Sequence, residues 1–291
     1  MKVGIIGANG YIGKKVSDFF SERGKHEIEL ITRSKESLSV DDAFASDIDI
    51  FINCVGRVGK PSVEEFDTST MAYGQAVESN ISFVRHLLLL RQMFSKGLIH
   101  LSTGCFFKGD NFFEEHEHPN FITNAYLETK WKAEQEIMNN DGNSDRGVAI
   151  CRIRMPFDNE VSPRNLSNKY LNYKKLLTGK NSITYIPHLC EALHMMVDAY
   201  KLGENIGGIY HFVNPFPIDT ILTQKLINRY WGIEKEIVEV VGRVERSVCT
   251  LSNAASRDKF ESFGKTFPFT KCYEPYCESY KILKSKIPTL E

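Results

Sequence analysis

Apolar positions follow two rhythms along this chain. Short, nearly continuous runs at Lys2–Ile6, Glu27–Ile31, Asp49–Cys54, Leu98–Leu101 and Gly147–Arg154 read as buried strands of a parallel sheet. Between them the apolar residues recur at helical spacing, to about Arg23, from about Ser69 to Phe94, and from Tyr126 to about Met138. In the second of these helices Val77, Ile81, Val84 and Leu88 form one stripe, and Phe83, Leu87 and Leu90 widen it. A helix so apolar around its girth buries more than one face. One face would cover the sheet, and the other suits an isologous homodimer through the 69–94 and 124–138 helices. Strands alternating with helices predict an α/β fold with a doubly wound parallel sheet.

After Arg154 the pattern changes. Met155–Asn168 is a loop containing Pro156 and Pro163, helical stretches follow around Lys169–Leu177 and Leu189–Lys201, and a strand lies near Gly208–Val213. The expected organisation is a sheet domain over residues 1–154 and a smaller C-terminal lobe over 155–291, with at least one segment returning to the sheet. No internal repeat or low-complexity tail interrupts it.

The first strand ends in Gly7-Ala8-Asn9-Gly10-Tyr11-Ile12-Gly13 and a helix follows. This is the strand–turn–helix setting of a Rossmann-type dinucleotide site. Gly7 permits the tight turn, Gly10 lets backbone approach a pyrophosphate, and Gly13 lets helix and strand pack closely. The helix N-terminus supplies amide donors and positive potential for phosphates. Gly7, Asn9, Gly10, Tyr11, Ile12 and Gly13 are therefore candidate cofactor contacts. The second strand ends in Thr32-Arg33-Ser34-Lys35, without the acid that holds a ribose 2′-hydroxyl; Arg33 suits a 2′-phosphate, so NADPH is expected over NADH. Asn53-Cys54-Val55-Gly56 closes the third strand where the chain passes the cofactor, and a basic, glycine-rich loop, Arg57–Pro61, follows.

Charge narrows the field. Lys and Arg number 36 against 37 Asp and Glu, which speaks against a nucleic-acid or anionic-membrane surface. The chain enters its first strand directly after Met1-Lys2, and no apolar run approaches ~20 residues, so a cytoplasmic protein without a membrane span is expected. The seven cysteines are scattered, with no Cys-x-x-Cys pair, and suggest neither a disulfide framework nor a zinc site. His116-Glu117-His118 lies in an acidic loop, Asp110–Pro119, and lacks further ligands nearby; no metal is expected.

The chemistry gathers between Leu101 and Lys130. Tyr126 and Lys130, four apart on a helix, share a face. An ammonium beside a phenol lowers the phenol's pKa. Thr103, at the carboxyl end of its strand, can hold a carbonyl oxygen beside that phenol, and Cys105 stands two residues further on. Together these residues suit a device that polarises a ketone and passes it a proton.

With the glycine motif, Asn53-x-x-Gly56, Asn80, Thr103 and Tyr126/Lys130, the chain resembles the extended short-chain dehydrogenase/reductases. Phe51–Gly56, Ser102–Phe107, Arg152–Pro156, and Pro163-Arg164-Asn165 followed by Lys169 sharpen the resemblance. They are similar to the epimerase/reductases of UDP-L-rhamnose synthesis, over Met1 to about Pro217. GDP-fucose synthases share the cysteine two residues after the hydroxyl. The resemblance implies a bifunctional 3,5-epimerase/4-reductase that takes UDP-4-keto-6-deoxy-glucose to UDP-L-rhamnose with NADPH. A separate 4,6-dehydratase would supply the keto sugar. It implies Thr103, Tyr126 and Lys130 as the reductase set and Cys105 and Lys169 as the epimerisation pair. Asn53, Gly56, Asn80 and Lys130 would contact the cofactor, and Arg57, Lys60, Arg154, Pro163, Arg164 and Asn165 the substrate. Two alternatives remain: a reductase acting only on an already epimerised dTDP-sugar, and a non-catalytic NADP-binding regulatory subunit.

Overall fold

The computed structural model describes residues 1–34, 37–57, 71–140, 147–239, 247–271 and 273–289. Its elements run β1 (Lys2–Ile6), α1 (Tyr11–Arg23), β2 (Glu27–Ile31), α2 (Val40–Ala45), β3 (Ile50–Asn53), α3 (Met71–Val77), a π-helical turn (Glu78–Ser82), α4 (Phe83–Phe94), β4 (Gly97–Thr103) and β5 (Gly109–Phe113). The chain continues with α5 (Ala125–Asn140), β6 (Val148–Ile153), β7 (Pro156–Phe157), α6 (Leu166–Asn172), β8 (Lys175–Leu177), β9 (Lys180–Asn181), β10 (Thr184–Tyr185), α7 (Ile186–Lys201) and β11 (Gly208–His211). It closes with β12 (Ile218–Asp219), α8 (Thr220–Trp231), β13 (Glu236–Val238), β14 (Cys249–Leu251), α9 (Ala254–Ser262) and α10 (Glu274–Lys286).

Two compact units divide this chain. The first takes Met1–Phe106, Ile122–Arg152 and Cys190–Tyr210; the second takes Phe107–Phe121, Ile153–Leu189 and His211–Glu291. The division is interleaved, not a single cut between residues 154 and 155. Most of α7 and most of β11 return to the first unit, while the segment around β5 leaves it for the second.

In the first unit the sheet order is β11-β6-β4-β3-β1-β2, and β1 pairs in parallel with both β2 and β3. The chain goes outward from β1 to β2 and then crosses to β3 on the opposite side. That reversal opens a crevice at the carboxyl ends of β1 and β3, where ligands bind in open α/β sheets. β3 and β4 carry no exposed residue, as strands covered on both faces require. Ile6, Phe44, Phe51, Val84, Leu87, Leu98 and Ile137 belong to one core cluster, with Phe44 stacked on Phe51 at 3.8 Å between ring centroids.

The helix expected from Ser69 to Phe94 departs from a regular α-helix. Ser69 lies outside the described residues, and the amide of Phe83 bonds the carbonyl of Glu78, five residues back, so a π turn separates α3 from α4. One extra residue in that turn shifts the helix phase and brings Asn80 and Ile81 to the buried side. On the far side of α4, Leu89 and Met93 are exposed.

A second core, with Phe157, Leu166, Leu171, Ile227, Tyr276 and Tyr280, holds the second unit together. Two expectations are corrected here. Helix α6 stops at Asn172, and Lys175–Leu177, read as its continuation, is a strand paired with β13. The start of the acidic loop at Asp110 is part of β5, paired in parallel with β14. In both places the partner strand lies far along the sequence, so local periodicity carries no trace of it. Among the described residues no helix is long and apolar enough to cross a membrane.

Candidate active site

The turn after β1 is built around two glycines that admit no side chain. Gly7 adopts φ +82°, and a Cβ on Gly13 would stand 2.2 Å from the Gly7 carbonyl oxygen. The Gly7 carbonyl accepts the Gly10 amide at 2.9 Å, and Gly10 caps α1 without a side-chain cap, so the first amides of the helix face outward from the turn. This cradle fits a dinucleotide phosphate. Asn9 and Arg33 are exposed beside it, and Tyr11 and Ile12 are partly buried.

The loop after β3 is braced from behind. Asn53 accepts the Val55 amide at 3.0 Å through its side-chain oxygen. Asn80, buried in the π turn, accepts the Arg57 amide at 2.9 Å and donates to Thr129 Oγ1 of α5 at 3.0 Å. Through these bonds both side chains hold the loop that carries Gly56. The Arg57 side chain is exposed, and Lys60 lies outside the described residues.

Thr103 sits at the carboxyl end of β4, and its hydroxyl accepts the Cys105 amide at 3.2 Å. Tyr126, in the first turn of α5, hydrogen-bonds Thr103 through its phenol and is close enough to Cys105 to be influenced by that thiol. The structure thus gathers Thr103, Cys105 and Tyr126. Burial is the largest effect on the Tyr126 phenol and pushes its pKa up; Cys105 and Glu134 act in the same direction, and Thr103 opposes them. The expected lowering by Lys130 is therefore reversed. The Lys130 ammonium position explains why: Nζ is bound to the Leu101 carbonyl oxygen at 2.8 Å and lies 3.2 Å from His100 Nε2. Burial draws the Lys130 amine down to about 8, against an upward pull from Glu134. A phenol held protonated is a proton donor, the form a developing alkoxide requires.

Three partners of this site were not foreseen. His100, on β4, is buried against Asn53 and Lys130. Glu134, one turn beyond Lys130, binds Ser102 and pairs with the fully buried Arg152, whose Nη2 donates at 2.7 Å. The spacing Tyr126, Lys130, Glu134 was a usable signal, because residues four apart share a helix face.

In the second unit Lys169 is half-buried on α6, and burial lowers its amine pKa, with Arg164 adding to the shift. Pro163 and Arg164 are exposed. Asn165 caps α6 by accepting the Ser167 amide at 3.1 Å and donates to the Asp158 and Glu160 carbonyls. Arg154 is equally committed, to Asn181 and to the Ser247 hydroxyl and carbonyl.

His116 is exposed and paired with Glu114 at 3.3 Å. Among the described residues one trio has metal-ligand spacing, His26, His194 and Asp198. Lys25 binds the Asp198 carboxylate at 2.6 Å, and His26 Nε2 lies 3.1 Å from the same carboxylate. Burial lowers the pKa of His26 and His194, and lowers His188 to about 4. A histidine depressed on folding contributes stability above its unfolded pKa of about 6.5 and loses it as pH falls through the folded value. We expect thermal stability to decline between about pH 6.5 and 4 by at least ~1 kcal/mol. Calorimetry across that range that showed constant or rising stability would contradict these burials.

No family model matches the chain. It is 28% identical over 229 residues, 74% of this chain and 75% of the other, to an uncharacterized protein, L780, of Acanthamoeba polyphaga mimivirus. The crystal structure of the L780 UDP-rhamnose synthase from that virus superposes with a TM-score of 0.78 at 23% identity, covering 97% of this chain and 99% of the other. A dTDP-4-dehydrorhamnose reductase from Bacillus anthracis in complex with NADP gives 0.71 at 17% identity over 98% of each chain. A UDP-glucuronic acid 4-epimerase from Bacillus cereus in complex with NAD gives 0.76 at 13% identity, covering 98% of this chain and 99% of the other. In fold, this chain is similar to all three of these enzymes of sugar-nucleotide chemistry.

Proposed function

We propose that this protein is an NADPH-dependent sugar-nucleotide enzyme of rhamnose synthesis, a bifunctional 3,5-epimerase/4-reductase acting on UDP-4-keto-6-deoxy-glucose. The observation that carries the reading is the gathering of Thr103, Cys105 and the protonated Tyr126 phenol at the carboxyl end of β4. The similarity to L780, in sequence and in fold, supports the substrate class. NADPH, when bound by the Gly7–Gly13 turn with Arg33 beside it, supplies the hydride for the C4 carbonyl.

Thr103 and Tyr126 would grip the C4 carbonyl oxygen. Protons on C3 and C5 are acidic because both carbons flank that ketone, and the same two donors would stabilise the enolate oxygen, a contribution of about 3–4 kcal/mol per donor in other enzymes. Inverting a centre requires a proton removed from one face of the ring and returned to the other. By the resemblance, Cys105 and Lys169 would be the residues for this, and burial lowers the pKa of the Lys169 amine. In the reduction, Tyr126 gives its proton to the C4 oxygen as the alkoxide forms.

The test is incubation of the purified protein with NADPH and UDP-4-keto-6-deoxy-glucose. NADPH oxidation with UDP-rhamnose as product is expected; no oxidation with this or with dTDP- and GDP-linked 4-keto sugars would favour a binding role. Cys105→Ser should slow conversion of the unepimerised sugar by at least ~10²-fold, the usual worth of a positioned proton-transfer group. It should still reduce a 4-keto-rhamnose nucleotide. Full rhamnose formation by this variant would remove the thiol from the mechanism.

A further inference from the structure

Lys130 is joined to the end of β3 by a chain of hydrogen bonds whose polarity can be read from its fixed end. The Val55 backbone amide can only donate, and it donates to Asn53 Oδ1 at 3.0 Å. That fixes the Asn53 amide, so its NH2 group faces His100 Nδ1, at 3.0 Å. Turning the amide over would set NH2 against the Val55 N–H. His100 Nδ1 must therefore accept. A neutral imidazole carries one N–H, so the proton resides on Nε2, which faces Lys130 Nζ at 3.2 Å. An imidazolium would direct a second N–H at the Asn53 NH2, and burial, the largest effect on the ring, drives it strongly toward its neutral form.

An ammonium has three donors and no lone pair. It cannot accept the His100 Nε2–H; an amine can, while still donating to the Leu101 carbonyl oxygen at 2.8 Å. We propose that His100 is a positioning residue: clamped by Asn53, it tethers the unprotonated form of Lys130, and uptake of a proton breaks the tether and releases Nζ. The register supports this arrangement, since Asn53 and His100 are paired directly across β3 and β4. Asn53, His100 and Lys130 are all at least nine-tenths buried, so no bulk water relieves a donor facing a donor. Nζ lies beside the loop after β3: a Cβ built on Gly56 would stand 3.8 Å from it. The groups around Lys130 are His100 and the Leu101 carbonyl from β4, Gly56 from the loop after β3, and Glu134 from its own helix. Glu134 is balanced by Arg152 of β6. The tether holds Lys130 away from the phenol; protonation would return a cation to the cofactor side. This catalytic consequence rests on the proposed function, whereas the tether itself does not.

The test uses the full chain with isotope-labelled histidine and lysine. Long-range proton–nitrogen NMR should find His100 as the Nε2–H tautomer throughout the neutral and alkaline range. The Lys130 signal, assigned by its loss in Lys130→Met, should titrate near 8. In His100→Asn, whose side-chain oxygen can accept from an ammonium, that titration should move up by at least ~1 unit. The alkaline limb of the pH–rate profile should follow it. An Nδ1–H tautomer in the unsubstituted protein, or a Lys130 titration unmoved by His100→Asn, overturns the tether. Should the enzyme show no turnover, the function falls while the tautomer measurement still decides the proposal.

Discussion

Tyr126→Phe lowers NADPH oxidation with a 4-keto-6-deoxy sugar nucleotide by roughly 10²–10⁴-fold, the range for loss of a positioned general acid. The substitution keeps the ring and removes only the hydroxyl, so the packing of α5 is preserved and thermal stability should hardly change. What is lost is the one donor whose proton is both held in place and deliverable: burial keeps the phenol protonated and Thr103 fixes its direction. Affinity for NADPH should persist, because the Gly7–Gly13 cradle lies at the end of a different strand. Steady-state kinetics with a parallel binding titration checks this. A kcat within a few-fold of the unsubstituted enzyme would assign the proton to another group. Equal loss of cofactor binding would make Tyr126 a structural residue.

Glu134→Ala should be the most destabilising single change near the site. Arg152 is fully buried, and its Nε and Nη2 bond the Glu134 carboxylate at 3.1 and 2.7 Å; Ser102 donates to the same group. Removing the carboxylate strands a guanidinium in the interior, a loss of about 3–5 kcal/mol. A fall in Tm on the order of 10 °C follows. Removing the guanidinium as well, in Glu134→Ala with Arg152→Met, should recover part of it, because the stranded charge is gone. Thermal melts of the three variants decide. If the single variant melts with the unsubstituted protein, the pair is not desolvated as the structure has it, and the base on which Tyr126 and Lys130 stand is wrong.

Much of the fold could be read from the chain because its signals are local. The run of apolar residues ending at Gly7, and the glycines at 10 and 13, specify a strand, a tight turn and a closely packed helix from a dozen neighbouring positions. Thr103, Cys105 and Tyr126 were equally accessible, since a strand end and a helix start place them with little freedom. What escaped depends on partners distant in sequence. His100 sits in a buried apolar run and looks like core; only the register of β3 on β4 sets Asn53 beside it. The π turn changes helix phase by one residue, too small a shift for an apolar stripe to reveal. Arg154 and Asn165 looked like ligand contacts because they are polar residues within similar motifs. Their burial and their hydrogen bonds within the second unit are invisible in one dimension. Lys130 was read correctly as lying on the face of Tyr126, yet its amine turns to the strand instead of the phenol, because a backbone carbonyl and an imidazole offer it hydrogen bonds there.

The central claim is that one carbonyl-gripping pocket first exchanges the protons beside the ketone and then directs its reduction. The most direct measurement is NMR of the product formed from UDP-4-keto-6-deoxy-glucose and NADPH in deuterated water. The account predicts a rhamnosyl nucleotide with deuterium at both C3 and C5. A reduced 6-deoxy sugar carrying no deuterium on either carbon would contradict it and leave a ketone reductase alone.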